Sequence, residues 1–259
     1  MKSVDLDHID DLPGQRLGKN DTFHFECRPD LSCFNLCCRN LNLFLYPYDV
    51  LRLKNNLKTS SGEFIDRHTD VVLRPGNHFP DVLLRMADND QATCPFLTDQ
   101  GCSVYPDRPD TCRTFPVEQG MIFRASGKPE PVHFFRPPDF CEGRKQGRAF
   151  TLATWASDQD AAVYNSMTEL WAEVKNLFMA NPWGVEGPSG PRAKMAFMAV
   201  YNIDSFRDFV FESSFLKRFK VKPELQKKIR KNDLDLLKFG FAFVRVTLFG
   251  RPSSQLKPR

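Results

Sequence analysis

Eight cysteines carry the chemistry most plainly written in this sequence: Cys27, Cys33, Cys37, Cys38, Cys94, Cys102, Cys112 and Cys141. All fall within the first 141 of 259 residues, and the rest of the chain holds none. Thiols used as small core hydrophobes would be scattered, so the clustering points to disulfides or metal ligation. Disulfides need an oxidising compartment, and secreted chains normally carry an apolar leader. Here the first eleven residues hold four aspartates and no apolar core. No stretch approaches the roughly 18 to 20 apolar residues of a membrane span. A chain of this length also buries a core without covalent staples. The expectation is a cytoplasmic protein with reduced thiols and bound metal, and with no membrane partner.

Spacing narrows the chemistry. Cys33, Cys37 and Cys38 form C-x3-C-C, with Cys27 six residues earlier. A helical turn would bring Cys33 and Cys37 to one metal. Adjacent side chains such as Cys37 and Cys38 tend to diverge, which suggests either two neighbouring sites or one polynuclear cluster. Cys94, Cys102 and Cys112 bring thiolates from a later loop, and Cys141 adds a fourth. Zinc knuckles favour paired C-x(2–4)-C spacings, which fit poorly here. An iron–sulfur cluster tolerates irregular spacing, because its inorganic core spans the gaps. Iron–sulfur is therefore the leading cofactor and zinc the alternative, while a thiolate-rich set disfavours magnesium and calcium. His24, His68, His78 and His133 are not at ligand spacing to one another. His24 and His133 stay in view only as neighbours of Cys27 and Cys141.

The second group reads CPFLTDQGCSVYPDRPDTCRTFP. Pro95, Pro106, Pro109 and Pro116 stiffen it and lower the entropy cost of ordering. Arg108 and Arg113 are cofactor-binding candidates. A guanidinium beside clustered thiolates offsets their charge and donates hydrogen bonds to sulfur. An ordinary surface salt bridge is the plainer role for each.

On these residues the chain resembles the YkgJ-type cysteine-cluster family, also called the CxxCxxCC family of zinc- or iron-chelating proteins. The resemblance rests on Cys27, Cys33 and Cys37-Cys38, then on Cys94-Pro95-Phe96-Leu97, Gly101-Cys102-Ser103-Val104-Tyr105, Arg108-Pro109 and Cys112-Arg113-Thr114-Phe115-Pro116. Cys141, Gly143 and Gly147 resemble the family's closing C-x-G…G element. It covers about residues 24 to 155, with a first group, C-x5-C-x3-CC, looser than the family pattern. The resemblance implies metal chelation. Some relatives carry an iron–sulfur cluster, and one branch methylates lysines of flagellin. No glycine-rich G-x-G after an evident strand supports carrying that activity over.

The elements that must position these residues divide the chain into three. Residues 1–22 read as an acidic, irregular arm. Residues 23–155 read as the cysteine-cluster metal-binding domain, loop-rich over 93–143, with a helix near Tyr46–Leu57 and short strands around Val71–Leu73 and Val82–Leu84. Residues 156–259 read as a mainly helical region. Its expected helices run from Asp158 to Met179, from Lys194 to Asn202, from Ser205 to Phe219 and from Pro223 to Lys231. The fold class is α+β. Composition, 41% hydrophobic and 26% charged, is that of an ordinary globule. Lys217 to Lys231 holds eight basic residues against one Glu. Such a run reads as a solvated helix face, and without a nucleic-acid motif it does not argue for a nucleic-acid partner. The leading function is metal binding with a redox or accessory role. The alternatives are a zinc-stabilised module that binds a protein partner, and a cluster-dependent enzyme such as a protein methyltransferase. No hydrolase or kinase constellation is present.

Overall fold

The N-terminal arm is drawn into a sheet rather than left irregular. Gln15–Leu17 pairs antiparallel with Pro129–Phe135, placing Leu17 opposite His133. Lys2–Ser3 runs parallel to Val117–Phe123, which pairs antiparallel with Pro129–Phe135. Loops were expected through 93–143, but two seven-residue strands lie there. In the second, Val132 and Phe134 are buried at alternate positions, the period a half-buried strand requires. Pro129 and Pro131 mask that alternation in the sequence. Gly120 permits the arm's approach, since a Cβ there would lie 2.5 Å from Val4 Cγ2.

The computed structural model describes residues 2–4, 6–124 and 128–259. The chain forms two compact units, one of residues 1–43 and 85–172, the other of residues 44–84 and 173–259. In the first, Leu17, Phe23, Phe25, Val117, Phe150 and Trp155 bury a core that includes Cys141. The rings of Phe23, Phe25 and Phe150 meet Trp155 edge-on at 5.8, 5.7 and 4.9 Å, the geometry that aromatic quadrupoles favour. Trp155 Nε1 donates to the Thr114 carbonyl at 2.9 Å. The helix expected from Asp158 to Met179 is present as Ala162–Leu177, starting four residues later. A separate short helix, Leu152–Asp158, capped by Thr151, precedes it and ends before Asp160, whose φ of 50° is left-handed.

The second unit opens with an antiparallel sheet in the order Phe44–Leu45, Asp81–Leu84, Thr69–Val72. Helix Pro47–Asn56 matches its apolar pattern. Ser61–His68, where the sequence reading placed no helix, is a helix because Ser60 caps the Glu63 amide and Phe64 and Ile65 bury one face. Helices Pro191–Val200, Ile203–Glu212, Pro223–Lys231 and Asp233–Phe249 follow. The expected run from Ser205 to Phe219 breaks after Glu212, where Ser213 is extended. Phe206, Phe209, Phe215, Phe219, Phe239 and Phe243 form one ring-contact cluster. A Cβ on Gly240 would sit 1.9 Å from the Ala199 carbonyl oxygen, so glycine lets these two helix backbones meet. Lys54, buried, lies 3.1 Å from both Asp204 Oδ1 and Asp233 Oδ2. The architecture is mixed α and β, and no helix among the described residues is long and apolar enough to cross a membrane.

Candidate metal centre

All eight cysteines lie in the first unit, and all are free thiols. The turn that carries the first group begins at Asn35, whose left-handed φ of 63° precedes the 3-10 turn Leu36–Cys38. Asparagine tolerates that conformation. Three residues per turn separate neighbouring side chains by about 120°. Cys37 and Cys38 are therefore sent different ways from adjacent positions.

The first direction meets Cys27, Cys33 and Cys141. These three, with Cys37, line one small cavity closed by Phe25, Leu31, Phe115, Phe140 and Gly143. Its volume is about 10 Å³, the room of a single water-sized sphere. Glycines bring its two walls together. The Glu26 amide donates to the Gly143 carbonyl at 3.1 Å. A Cβ on Gly143 would lie 2.3 Å from the Glu26 oxygen, and one on Gly147, at φ 76°, would lie 2.8 Å from the Phe25 oxygen. The Glu142 amide donates to Cys33 Sγ at 3.3 Å. Ser32 Oγ donates to Glu142 Oε1 at 2.8 Å. Burial first, and then Cys37, Cys33 and Cys141, push the Cys27 thiol up to about 11.

The second direction meets the later loop. The Cys94 amide donates to the Cys38 carbonyl at 2.8 Å, and an isolated bridge pairs Arg39 with Thr93. Leu97–Thr98 and Gly101–Cys102 make a hairpin, turned at Gly101 with φ 107°. Helix Asp110–Thr114 then delivers Cys112. The Cys38 thiol shares a hydrogen bond with Cys37 and stands within electrostatic reach of Cys112 and Cys94. Cys94 in turn feels Cys102 and, more weakly, Cys37. The hydrogen bond from Cys38 lowers Cys37 and raises Cys38, so ionising both is resisted. Burial raises Cys94, Cys102 and Cys141.

The two arginines are placed differently. Arg108 stacks on Tyr105 at 3.9 Å and donates to the Tyr105 carbonyl and to Gln159 Oε1 at 2.8 and 2.7 Å. Its charge is felt by Cys102. Arg113, buried, donates to the Gln159 and Pro106 carbonyls at 2.7 and 2.6 Å and stacks on Tyr164. It therefore fastens the loop around Cys112 to the following helices. Gln159, which receives both arginines, gives no sign in the sequence, because its partners lie 46 to 51 residues away. Sequence reasoning also missed Arg39, the cation that lowers Cys37. Its Nη1 donates to the Asn35 carbonyl at 3.0 Å. His24 Nδ1 is 3.1 Å from the Gly147 carbonyl oxygen. His133 lies on the strand Pro129–Phe135 beside Arg16, Leu17 and Lys19.

The donor set fits a metal that prefers sulfur. Among the described residues, no three His, Cys, Asp or Glu side chains already stand where they could hold one metal ion.

Residues 26–142 match the family model CxxCxxCC, described as "Putative zinc- or iron-chelating domain". No curated protein and no solved structure matches the chain. The matched segment begins one residue before Cys27 and ends one residue after Cys141, so it takes in all eight thiols. The family model that residues 26–142 match is the one whose motifs the sequence resembles.

Proposed function

We propose that the cysteine unit is an iron–sulfur protein module whose thiolates, from Cys27 to Cys141, hold iron for a redox or accessory role. The observation that supports this reading is that all eight free thiols lie in one unit, with the Cys37 and Cys38 thiols hydrogen-bonded between the earlier and later groups. A thiolate-rich set without disulfides suits polynuclear chemistry. Bound iron and sulfide would supply one-electron redox chemistry. The chain's own residues shield and position. Phe25, Phe115 and Phe140 cover the cavity beside Cys27, Cys33, Cys37 and Cys141. Arg39 and Arg108 offset thiolate charge at Cys37 and Cys102. The Glu142 amide donates to Cys33 Sγ, and hydrogen bonds to sulfur tune potential.

A zinc module is the second reading, favoured by the size of that cavity, which suits one ion. Purification without oxygen, followed by iron, zinc and acid-labile sulfide analysis and a visible spectrum, decides between them. Brown protein with iron and sulfide in near-equal amounts supports the first reading. Colourless protein with stoichiometric zinc and no sulfide replaces it with the second. Reduced, metal-free thiols reject both.

A further inference from the structure

We infer that the eight thiols divide into two separate four-thiolate centres, Cys27, Cys33, Cys37 and Cys141 in one, Cys38, Cys94, Cys102 and Cys112 in the other. This rests on the chelating role proposed above and adds the number of centres and the ligands of each. The division follows from geometry. Leu36–Cys38 is a 3-10 turn, which starts adjacent side chains about 120° apart, although the Cys37 and Cys38 thiols still share a hydrogen bond. Cys37 lines the cavity with Cys27, Cys33 and Cys141 and with no thiol of the later loop. The wall beside it is made by the Gly143 and Glu26 backbones, whose approach only glycine permits. Cys38 instead reaches the later loop through its own carbonyl, which receives the Cys94 amide at 2.8 Å. Cys94 and Cys112 lie within electrostatic reach of it, and Cys102 and, more weakly, Cys37 within that of Cys94. Each set holds the four thiolates that a tetrahedral zinc site or one iron–sulfur cluster takes.

The pair at the junction makes the two centres neighbours. Charge gained or lost at one is felt at the other through a single peptide step.

The test uses the full chain purified without oxygen. Apo-protein is titrated with cobalt(II), whose thiolate charge-transfer and visible bands report each filled tetrahedral sulfur site. Saturation at two equivalents per chain is expected, and saturation at one overturns the division. In parallel, iron plus zinc is measured in the Cys33→Ser and Cys102→Ser proteins. Each is expected to retain about half of the wild-type metal, and the double variant none. If either single variant keeps all its metal, the partition is wrong. If either loses all of it, the wild-type cobalt stoichiometry decides, two upholding and one rejecting. Wild-type protein that binds neither its own metal nor cobalt through sulfur would instead defeat the chelation reading itself.

Discussion

Around Phe206 five further phenylalanines close a helical core, and Asp233–Phe249 alone buries Leu236, Leu237, Phe239, Phe241, Phe243 and Val244. Around Cys37 the chain offers a three-residue turn, a hairpin of two-residue strands and a five-residue helix. The helical unit can hold itself by burial, at about 25 cal/mol per Å² of apolar surface. The cysteine loops have few backbone ladders, and their Cys37–Cys38 pair resists the loss of both protons. What they do have is a set of donors whose affinity for metal can exceed any contact they make without it. The contrast is between a unit held by its side chains and cysteine loops that, on the chelating role proposed above, would be held by their ligand.

Removing the metal probes that contrast hardest. Structural metal–thiolate sites contribute on the order of 10 kcal/mol to folding, because the unfolded chain has no formed site. Hydrogen exchange after anaerobic chelation should show residues 26–43, 93–116 and 138–147 losing protection by roughly a hundredfold or more. Helices Ile203–Glu212 and Asp233–Phe249 should keep theirs. Equal loss in both regions would make the molecule one cooperative unit and erase the contrast.

The reverse perturbation strikes the helical unit. Phe206 is fully buried against Phe239 and Phe243 at 6.1 and 5.5 Å. Phe206→Ala should cost about 3–5 kcal/mol in that unit by denaturant unfolding. Metal per chain should stay at the wild-type level. A variant that folds but arrives with half its metal would show that the cysteine loops depend on the helices.

How much of this was readable in the sequence differs between the two regions for a physical reason. Helices Pro47–Asn56 and Pro223–Lys231 declare themselves through apolar spacing and an N-terminal proline. The division of Ala162–Leu177 from the helix before it turns on one left-handed residue, Asp160, which periodicity does not register. Val117–Phe123 and Pro129–Phe135 are hidden because prolines and polar residues interrupt the alternation, while their pairing supplies the order. At the centre, cysteine identity was legible because sulfur is rare and its clustering is informative. The grouping was not, since it depends on a left-handed Asn35 and on close backbone approach at Gly143. The resemblance marked Gly143 without giving its reason.

That glycine offers a finer cut within the cysteine unit. Gly143→Ala forces a methyl group to 2.3 Å from the Glu26 backbone oxygen, and neither partner is a flexible side-chain end. Overpacking of this kind costs about 1–3 kcal/mol. Separation of the Cys141 loop from the Cys27 segment should lower bound metal and leave the unfolding of the helical unit unchanged. Full metal content in Gly143→Ala would show that this wall does not set the position of Cys141.

The smallest expected effect is a difference in how the two units meet acid. In the helical unit, burial works to raise the Asp204 carboxyl. The Ser61 amide at 2.7 Å, the Lys54 charge and the Ser61 hydroxyl at 2.9 Å outweigh it and hold the group below its ordinary value of 3.8. A depressed carboxyl contributes stability that is complete above its unfolded value and is lost as pH falls through the folded one. The helical unit should therefore hold its stability down to about pH 4 and weaken below it. Asp204→Asn should be modestly less stable at neutral pH, since Lys54 keeps Asp233 at 3.1 Å, and should lose less on acidification, so that the two curves converge once the Asp204 carboxyl is protonated. Thiolate centres behave otherwise, because protons compete with metal for sulfur well before carboxylates titrate. Metal release followed by absorbance, and helix content followed by circular dichroism, should thus separate on one acid titration, with metal leaving first. Coincident midpoints would mean that the helices unfold with the centre and that Asp204 has no separate acid limb to report.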